Sequence, residues 1–310
     1  MGGLTVLNPK DLYEVVPDVP ELARPVLIEA LDGFIDAGGA KRLATAALLA
    51  AAEAEPIVRF DADQLFDYRA RRPAMLFAKD HWESYDEPRL AIHRGHDGAG
   101  VPFLVLAGPE PDVQWERFGA AVRDIIEQLE VRLTIGLGAI PMAVPHTRPL
   151  GVIVHGSRPE LLGGQESWVD TVQVPASAGH MLEYRLGKAG HDAMGFAVHV
   201  PHYLAQTDYP TAAVSLLDAV AEASGLQLPT EALREAARST DEAINAQVGQ
   251  SPEVAEVVRG LESQYDVIVA GRGGNLLSAA GGPLPTADEL GAEFERFLAQ
   301  QAQKGDGAEG

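Results

Sequence analysis

Short, continuous runs of apolar residues recur along the chain, and they constrain its fold more than any other feature of the sequence. Continuous runs of about four to eight residues are typical of strands covered on both faces, as in a parallel sheet. Segments with helical spacing separate several of these runs, and this alternation predicts an α/β sandwich with right-handed crossovers. The predicted strands are Val26–Leu31, Ile57–Phe60, Phe103–Ala107, Leu133–Ile140, Gly151–His155 and Met194–Val200.

One segment has a different pattern. Two strand-like stretches, Arg89–His93 and Val101–Val105, flank the glycine-rich residues 95–100. Glycine and aspartate in such a position are typical of a turn between antiparallel strands. The sequence therefore predicts a β-hairpin at this point of the chain.

The chain beyond Gly225 has mainly helical spacing. A glycine-rich segment then leads to Thr286 and Glu289, whose spacing forms a capping box and predicts the start of a last helix. We expect four parts: a core α/β domain at residues 1–225, a helical extension packed on the core at 226–271, a Gly-rich linker at 272–285 and a C-terminal amphipathic helix at 286–303.

The last predicted helix carries a compact apolar stripe. An isolated helix of this length is marginally stable in water, so the stripe needs a surface on which to dock. The linker is long enough for that surface to lie on the same subunit or on a neighbouring one. We treat the stripe as a candidate interface of a homo-oligomer, with docking on the parent domain as the alternative. Its residues are Leu290, Phe294, Phe297 and Leu298.

Composition and charge exclude several classes of function. The chain has 45 acidic and 24 basic residues and a formal net charge of −21, so binding to nucleic acid is not expected. Because cysteine is absent, disulfides, thiolate metal sites and cysteine nucleophiles are excluded. Apolar runs fall short of the ~20 residues that span a bilayer, and the first residues do not resemble a secretory signal. We therefore expect a cytoplasmic protein that does not contact membranes.

The first candidate site follows the first predicted strand. Gly33 permits a tight turn at the end of that strand, and Asp36 is placed to cap the next helix. Ligands of open α/β sheets gather at such strand ends, so Asp32, Gly33 and Asp36 are candidates for a ligand-binding site. The alternative is a capped strand–turn–helix junction without a ligand.

Histidines lie at or just beyond the ends of three other predicted strands. If these strands are parallel, the side chains lie at the same edge of the sheet as the first candidate site, and all of them line one crevice. Imidazole in such a crevice can act as an acid, a base or a ligand. The alternatives are histidines that only lock turns, or a metal site. No common metal site has this spacing, so we expect no metal and no cofactor. The candidates are His146, Arg148, His155, His202 and Tyr203.

Other motifs are incomplete. Residues Gly136 and Gly138 resemble half of a dinucleotide-binding fingerprint, but Pro141 stands where the third glycine is needed. The sequence has no phosphate-binding loop and no nucleophile elbow. No catalytic residue is predicted.

Several segments, taken in order, resemble one known family. Together they resemble the proteasome-assembly-chaperone-two family, and specifically its actinobacterial branch. The resemblance extends over roughly residues 20–300. The segments are Glu29–Gly38, Leu106–Pro111, Val144–Pro149, His199–Leu204 with Tyr209 and Pro210, and Leu261–Asp266.

The resemblance implies a three-layer α/β/α fold related to nucleoside phosphorylases, a homo-oligomer with a trimer as the expected form, and no established catalytic activity. Eukaryotic relatives chaperone the assembly of proteasome α-rings. Archaeal relatives bind proteasome subunits through a C-terminal hydrophobic-Tyr-x tail. This sequence ends in residues 306–310 without that tail, so proteasome binding does not carry over directly from the archaeal relatives.

Three functions remain open at this point, and the last of them is a structural oligomer without a ligand. The first is a non-enzymatic protein-binding factor that resembles proteasome assembly chaperones. The second is an enzyme or a binder of a small anion or nucleoside-like molecule, which would use a phosphorylase-like crevice. In that case Arg148 and His146 could hold an anionic group such as phosphate or carboxylate.

Overall fold

The structure is a computed structural model, and it describes residues 7–17, 19–52, 54–164 and 171–270. The predicted linker at 272–285, the predicted helix at 286–303 and its stripe of Leu290, Phe294, Phe297 and Leu298 lie outside the described residues. The strands are β1 (Tyr13–Val15), β2 (Val26–Asp32), β3 (Glu55–Phe60), β4 (Met75–Ala78), β5 (His81–Tyr85), β6 (Ala91–His96), β7 (Pro102–Pro109), β8 (Leu133–Met142), β9 (Val152–Gly156) and β10 (Ala193–Pro201). The helices are α1 (Ala40–Ala51), α2 (Ala62–Leu65), α3 (Trp115–Gln128), α4 (Ala178–Lys188), α5 (Pro210–Ser224), α6 (Glu231–Gln250) and α7 (Pro252–Ala270).

The chain divides into two units. The first comprises residues 1–167 and 173–262, and the second comprises residues 168–172 and 263–310. Of the second unit, the structure describes residues 171–172 and the last turns of α7. Both sheets and the helices α1 to α6 belong to the first unit.

A mixed sheet of eight strands forms the centre of the first unit, in the order β1-β3-β6-β7-β2-β8-β10-β9. The neighbours β7, β2, β8 and β10 are parallel, which confirms the parallel centre that the continuous apolar runs predict. The prediction is wrong for β3 and β9, because both pair in antiparallel orientation. A run of about five apolar residues also suits a half-covered strand near an edge, and the apolar pattern carries no direction.

Helices cover both faces of the sheet, so the three-layer α/β/α arrangement is confirmed. On one face, α1, α5 and α6 pack through residues such as Leu48 and Leu217. On the other face, α3 and α4 pack through residues such as Phe118 and Leu182. The central strand β2 contributes Ile28 to the first cluster and Leu27 to the second, because successive side chains of a strand point to opposite faces.

Two pairs of consecutive antiparallel strands form β-hairpins. The predicted hairpin is confirmed as the antiparallel pair β6 and β7, although β6 begins at Ala91 rather than at Arg89. A second pair, β4 and β5, forms a separate two-stranded sheet that the sequence analysis missed. Every residue of β5 is exposed, so this hairpin lacks the burial pattern that marks the other strands.

The helical spacing beyond Gly225 is confirmed by α6 and α7. Helix α6 packs on the core through Leu233 and Ala237. Within the described ranges, no helix has both the length and the apolar character needed to cross a membrane.

Phe118 provides a test of the packing between α3 and the sheet. The side chain is fully buried, and its ring lies 5.2 Å from the ring of Phe60. We expect Phe118→Ala to lower the free energy of unfolding by about 3–5 kcal/mol, because it removes buried apolar surface and leaves a cavity. Val113→Ala is the control, since Val113 is exposed and should change stability by less than about 0.5 kcal/mol. Denaturant unfolding measures both values, and equal midpoints for the two variants would contradict this packing.

Candidate functional site

The first candidate site is a capped junction at the start of α1. The Asp36 carboxylate accepts hydrogen bonds from the backbone N–H groups of Lys41, at 2.7 Å, and Arg42, at 3.0 Å. The predicted cap is therefore confirmed. Gly33 has a φ of +124°, and a Cβ there would lie 3.0 Å from the Glu110 side chain, so this turn requires glycine. Asp32 is exposed at the end of β2, and its role in binding a ligand stays a prediction.

His146 and Tyr203 form one hydrogen-bonded cluster beyond the ends of β8 and β10. The Tyr203 hydroxyl accepts from the backbone N–H of His146 at 2.9 Å and lies 2.7 Å from its Nδ1. The His146 Nε2 lies 3.3 Å from the Asn245 side-chain oxygen on α6. These partners fit a ring that accepts from the hydroxyl at Nδ1 and donates to Asn245 from Nε2. The cluster therefore ties the turn after β8 to α6.

Arg148 and His202 lie beside this cluster. The Arg148 guanidinium forms an ion pair with Glu262 on α7 at 3.2 Å, and Thr147 also donates a hydrogen bond to that carboxylate. The His202 ring packs edge-on against Tyr203, with 5.4 Å between the ring centroids. The Glu262 carboxylate already pairs with the guanidinium that an anion would need. These contacts therefore favour the alternative in which Arg148 and His202 lock turns.

His155 does not share the crevice predicted for it. Strand β9 runs antiparallel to β10, so His155 lies opposite Gly195, near the beginning of β10. Asp32, His146 and His202 lie at or beyond the opposite ends of the parallel strands. The prediction of one crevice for all of these residues is wrong, because it assumed that β9 is parallel to its neighbour.

His155 instead belongs to a row of aligned residues that crosses the sheet. The register places Glu29 of β2 beside Gly136 of β8, Gly136 beside Gly195 of β10, and Gly195 beside His155. A carboxylate and an imidazole thus stand at the two ends, with glycines between them. A Cβ at Gly136 would lie 3.3 Å from the Glu29 carboxylate, and a Cβ at Gly195 would overlap the His155 ring.

Helix α4 covers this row and supplies two more residues of the same site. A Cβ at Gly179 would lie 2.6 Å from the Glu29 carboxylate, so glycine lets the helix pass close to the buried acid. One turn later, Glu183 accepts a hydrogen bond from the His155 Nδ1 at 2.9 Å. Residues four apart lie on the same face of a helix, which explains why both face the row. Between the helix and the sheet lies a cavity of about 80 Å³.

The ionisable groups that line this cavity have shifted pKa values. Burial raises the pKa of Glu29, although the charge of Lys41 and the backbone N–H of Leu31 oppose the shift. Burial alone would lower the pKa of His155, but its hydrogen bond with Glu183 and the charge of that carboxylate outweigh burial and raise it. Burial and the neighbouring His155 lower the pKa of His180. The two shifts favour a proton on His155, beside Glu183, over one on His180.

The sequence analysis missed this cavity, although two signals were present. Glu29 interrupts the apolar run of β2 at a position that faces α4, and a charged residue inside a covered strand needs a partner or a pocket. Gly136 was noted only as part of an incomplete nucleotide motif. Both signals indicate a cavity only when the strand register, which places Glu29 beside Gly136, is known. In the described parts of the chain, no group of three or more His, Asp or Glu residues could hold a metal ion.

Glu29→Gln tests the environment of the buried carboxyl group. Folding raises the pKa of Glu29 above its ordinary value of 4.5, so the native state binds this proton more tightly than the unfolded state. Its effect on stability is therefore absent below about pH 4.5 and becomes increasingly unfavourable as the pH rises toward the raised value. We expect similar melting temperatures for variant and wild type at acidic pH, and a more stable variant at pH 8. Each pKa unit corresponds to about 1.4 kcal/mol.

Glu222→Gln on α5 is the matched control, because Glu222 is exposed. It should show no such dependence on pH. Thermal unfolding between pH 4 and pH 8 provides the measurement. A Glu29→Gln protein that is less stable than wild type at pH 8 would show that the ionised carboxylate is favourable in its site.

Comparisons with known proteins place the chain in a family. A Mycobacterium tuberculosis protein of unknown function is 49% identical, over 84% of this chain and 90% of its own, with a TM-score of 0.80. A Corynebacterium glutamicum protein of unknown function is 40% identical, over 83% of this chain and 98% of its own, with a TM-score of 0.79. A Mycobacterium tuberculosis proteasome-assembly chaperone homologue is 26% identical, over 75% of this chain and 99% of its own, with a TM-score of 0.68.

No curated protein of established function matches the chain. Residues 30–248, which include the parallel strands β7, β8 and β10 and the helices α1 to α5, match the PAC2 family. The family resemblance found in the sequence motifs is thereby confirmed, as is the similarity to actinobacterial members. The chain belongs to the PAC2 family.

Proposed function

We propose that this protein is a non-enzymatic protein-binding factor, related in function to proteasome assembly chaperones, and that it uses the β4–β5 hairpin to bind its partner. The observation that carries this proposal is an unusual group of exposed apolar side chains on that hairpin. We call the group the hairpin surface. Its members, each 49–61% exposed, are Met75, Leu76, Phe77, Trp82 and Tyr85.

The hairpin surface has the composition of a protein interface. Aromatic residues, methionine and arginine are enriched in interfaces, and truncation of tryptophan or tyrosine there costs the most binding energy. The rings of Phe77 and Trp82 meet edge-on, with 5.0 Å between their centroids, so part of the surface is already ordered. An isolated two-stranded hairpin is marginally stable in water, and a partner that covers it would stabilise it.

Charge indicates the kind of partner. The hairpin follows the basic residues Arg69, Arg71 and Arg72, all of which are exposed. Arg71 pairs with Asp112 at 2.6 Å, whereas Arg69 and Arg72 have no ion pair among the described residues. In a chain of net charge −21, these arginines form a local basic group before the hairpin, whereas Glu83 is exposed on β5 itself. The arginines complement acidic groups of a partner beside its apolar contact surface.

We assign the partner to the proteasome subunits of the same cell. Support comes from membership of the PAC2 family and from a 26% identical relative that is described as a proteasome-assembly chaperone homologue. The alternative of an enzyme or small-molecule binder at the strand ends has less support. There, Arg148 already pairs with Glu262, and His146 is engaged by Tyr203 and Asn245.

The hairpin surface is tested with the double variant Phe77→Ala/Trp82→Ala and with purified proteasome subunits of the same organism. We expect binding, measured by calorimetry and native mass spectrometry, to weaken at least thirtyfold, since loss of a central aromatic anchor costs about 2 kcal/mol or more. The matched control is Val254→Ala/Val257→Ala on α7, which also removes exposed apolar side chains and should bind like wild type.

Equal binding by both variants would overturn the assignment of the hairpin. If wild type binds no proteasome subunit, the proposed partner is wrong. If the hairpin variant instead loses self-association and keeps proteasome binding, the hairpin joins copies of this chain and the proposal fails in that form.

We further propose a homo-oligomer, with three subunits as the expected form, in which the stripe of Leu290, Phe294, Phe297 and Leu298 contributes to the contact. Phe294→Asp/Phe297→Asp should dissociate the assembly in light scattering while circular dichroism of the sheet persists, because charged residues prevent burial of the stripe. An unchanged mass would confine the predicted helix to its own subunit. A monomeric wild-type protein would contradict the oligomer itself.

A further inference from the structure

We propose that the cavity between α4 and the sheet binds a small organic cation, a primary ammonium group that carries a short alkyl tail. This inference is independent of the hairpin surface and goes beyond the proposed protein-binding function. It rests on a buried acid that lacks a full set of partners, on the balance of charge around that acid, and on the size and lining of the cavity.

Glu29 supplies the anionic end of the site. The residue is only 8% exposed and lines the cavity. Its Oε1 accepts a hydrogen bond from the backbone N–H of Leu31 at 2.9 Å. Its Oε2 lies beside Gly136 and Gly179 and has no hydrogen-bond donor among the described residues. An ammonium group offers three donors and a positive charge, which is what a buried carboxylate lacks in such a position.

The cations already present do not pair with Glu29. Lys41 is buried, and its Nζ donates to the backbone oxygen of Leu31. No ion pair between Lys41 and Glu29 is formed in the described part of the chain. His155 is engaged by Glu183 at 2.9 Å. Because Lys41 and His155 are both engaged elsewhere, neither forms an ion pair with the Glu29 carboxylate.

The remaining acids make the cavity a poor site for an anion. Glu110 also lines it and accepts a hydrogen bond from the backbone N–H of Ala178 at 2.9 Å. Three carboxyl groups, those of Glu29, Glu110 and Glu183, line the cavity together with one lysine, Lys41. A further cation suits a lining with three carboxyl groups, whereas phosphate or a carboxylate would add negative charge to it.

The size and lining of the cavity restrict the cation. About 80 Å³ is several times the roughly 10–15 Å³ needed to hold one water, so a molecule of a few non-hydrogen atoms fits. Leu31, Phe34 and Ile35 line the cavity as well, and Ile35 is 44% exposed. The apolar wall therefore reaches the surface, and it suits an alkyl tail that extends outward from an ammonium group held at Glu29.

The probe for this site is n-propylamine, which is protonated at neutral pH. Propionate and 1-propanol match its size but carry a negative charge and no charge, respectively. Titration of the full chain in an amine-free phosphate buffer, followed by ligand-observed NMR and calorimetry, should show millimolar or tighter binding of the amine. We expect at least tenfold weaker binding of both analogues. Propionate that binds as well as the amine, or an amine that does not bind, would overturn the proposal.

Variants identify the residue that holds the amine. Glu29→Gln keeps the shape and the acceptor for Leu31 but removes the charge, and it should weaken amine binding at least tenfold. Glu222→Gln, an exposed glutamate on α5, is the matched control and should bind like wild type. Gly136→Ala adds a methyl group 3.3 Å from the Glu29 carboxylate and should also weaken binding.

Near-ultraviolet circular dichroism verifies that each variant is folded before titration. Equal amine binding by wild type and folded Glu29→Gln would show that the amine binds elsewhere. In that case the cavity holds only water, and the proposal is wrong. Because none of these residues belongs to the hairpin surface, the result leaves the proposed protein-binding function independently testable.

Discussion

The four parallel strands at the centre of the sheet must be covered on both faces, and the rest of the structure depends on this requirement. Each strand feeds a crossover, and the crossovers carry the helices that bury the two apolar faces. The side chains of β2 show the consequence, because Ile28 and Leu27 enter different clusters. Coverage explains why the apolar runs are continuous and why helices lie on both sides.

One row of residues under α4 is not apolar. There Glu29, Gly136, Gly195 and His155 stand where the face toward α4 would otherwise carry apolar side chains. The helix adapts to this row by placing Gly179 over the carboxylate and Glu183 beside the imidazole. An ionised carboxylate in such surroundings is costly unless it is paired. The glycines leave room for the Glu29 carboxyl group and the His155 ring but offer no side-chain donor to Glu29.

Much of the fold could be predicted because it depends on local patterns. The parallel strands β2, β7, β8 and β10 appear in the sequence as apolar runs, and Asp36 has the chemistry of a cap. The direction of β9 could not be predicted, since an apolar run has no polarity along the chain. That uncertainty misplaced His155. The cavity was missed for a related reason: Glu29 and His155 are 126 positions apart by their numbers, and only the register of three strand pairs aligns them.

The β4–β5 hairpin was missed for the opposite physical reason. Sequence patterns reveal strands through the contrast between buried and exposed positions, and this hairpin has no buried face. Its side chains contribute to neither core cluster of the described residues, and this is why we propose that a partner covers them.

At physiological ionic strength the Debye length is about 8 Å, so the net charge of −21 is screened over the dimensions of a domain. Arg69 and Arg72 act at contact distance, where screening is weakest. In the proposed complex, the charges at contact distance, and not the net charge, therefore select the surface that docks on the hairpin.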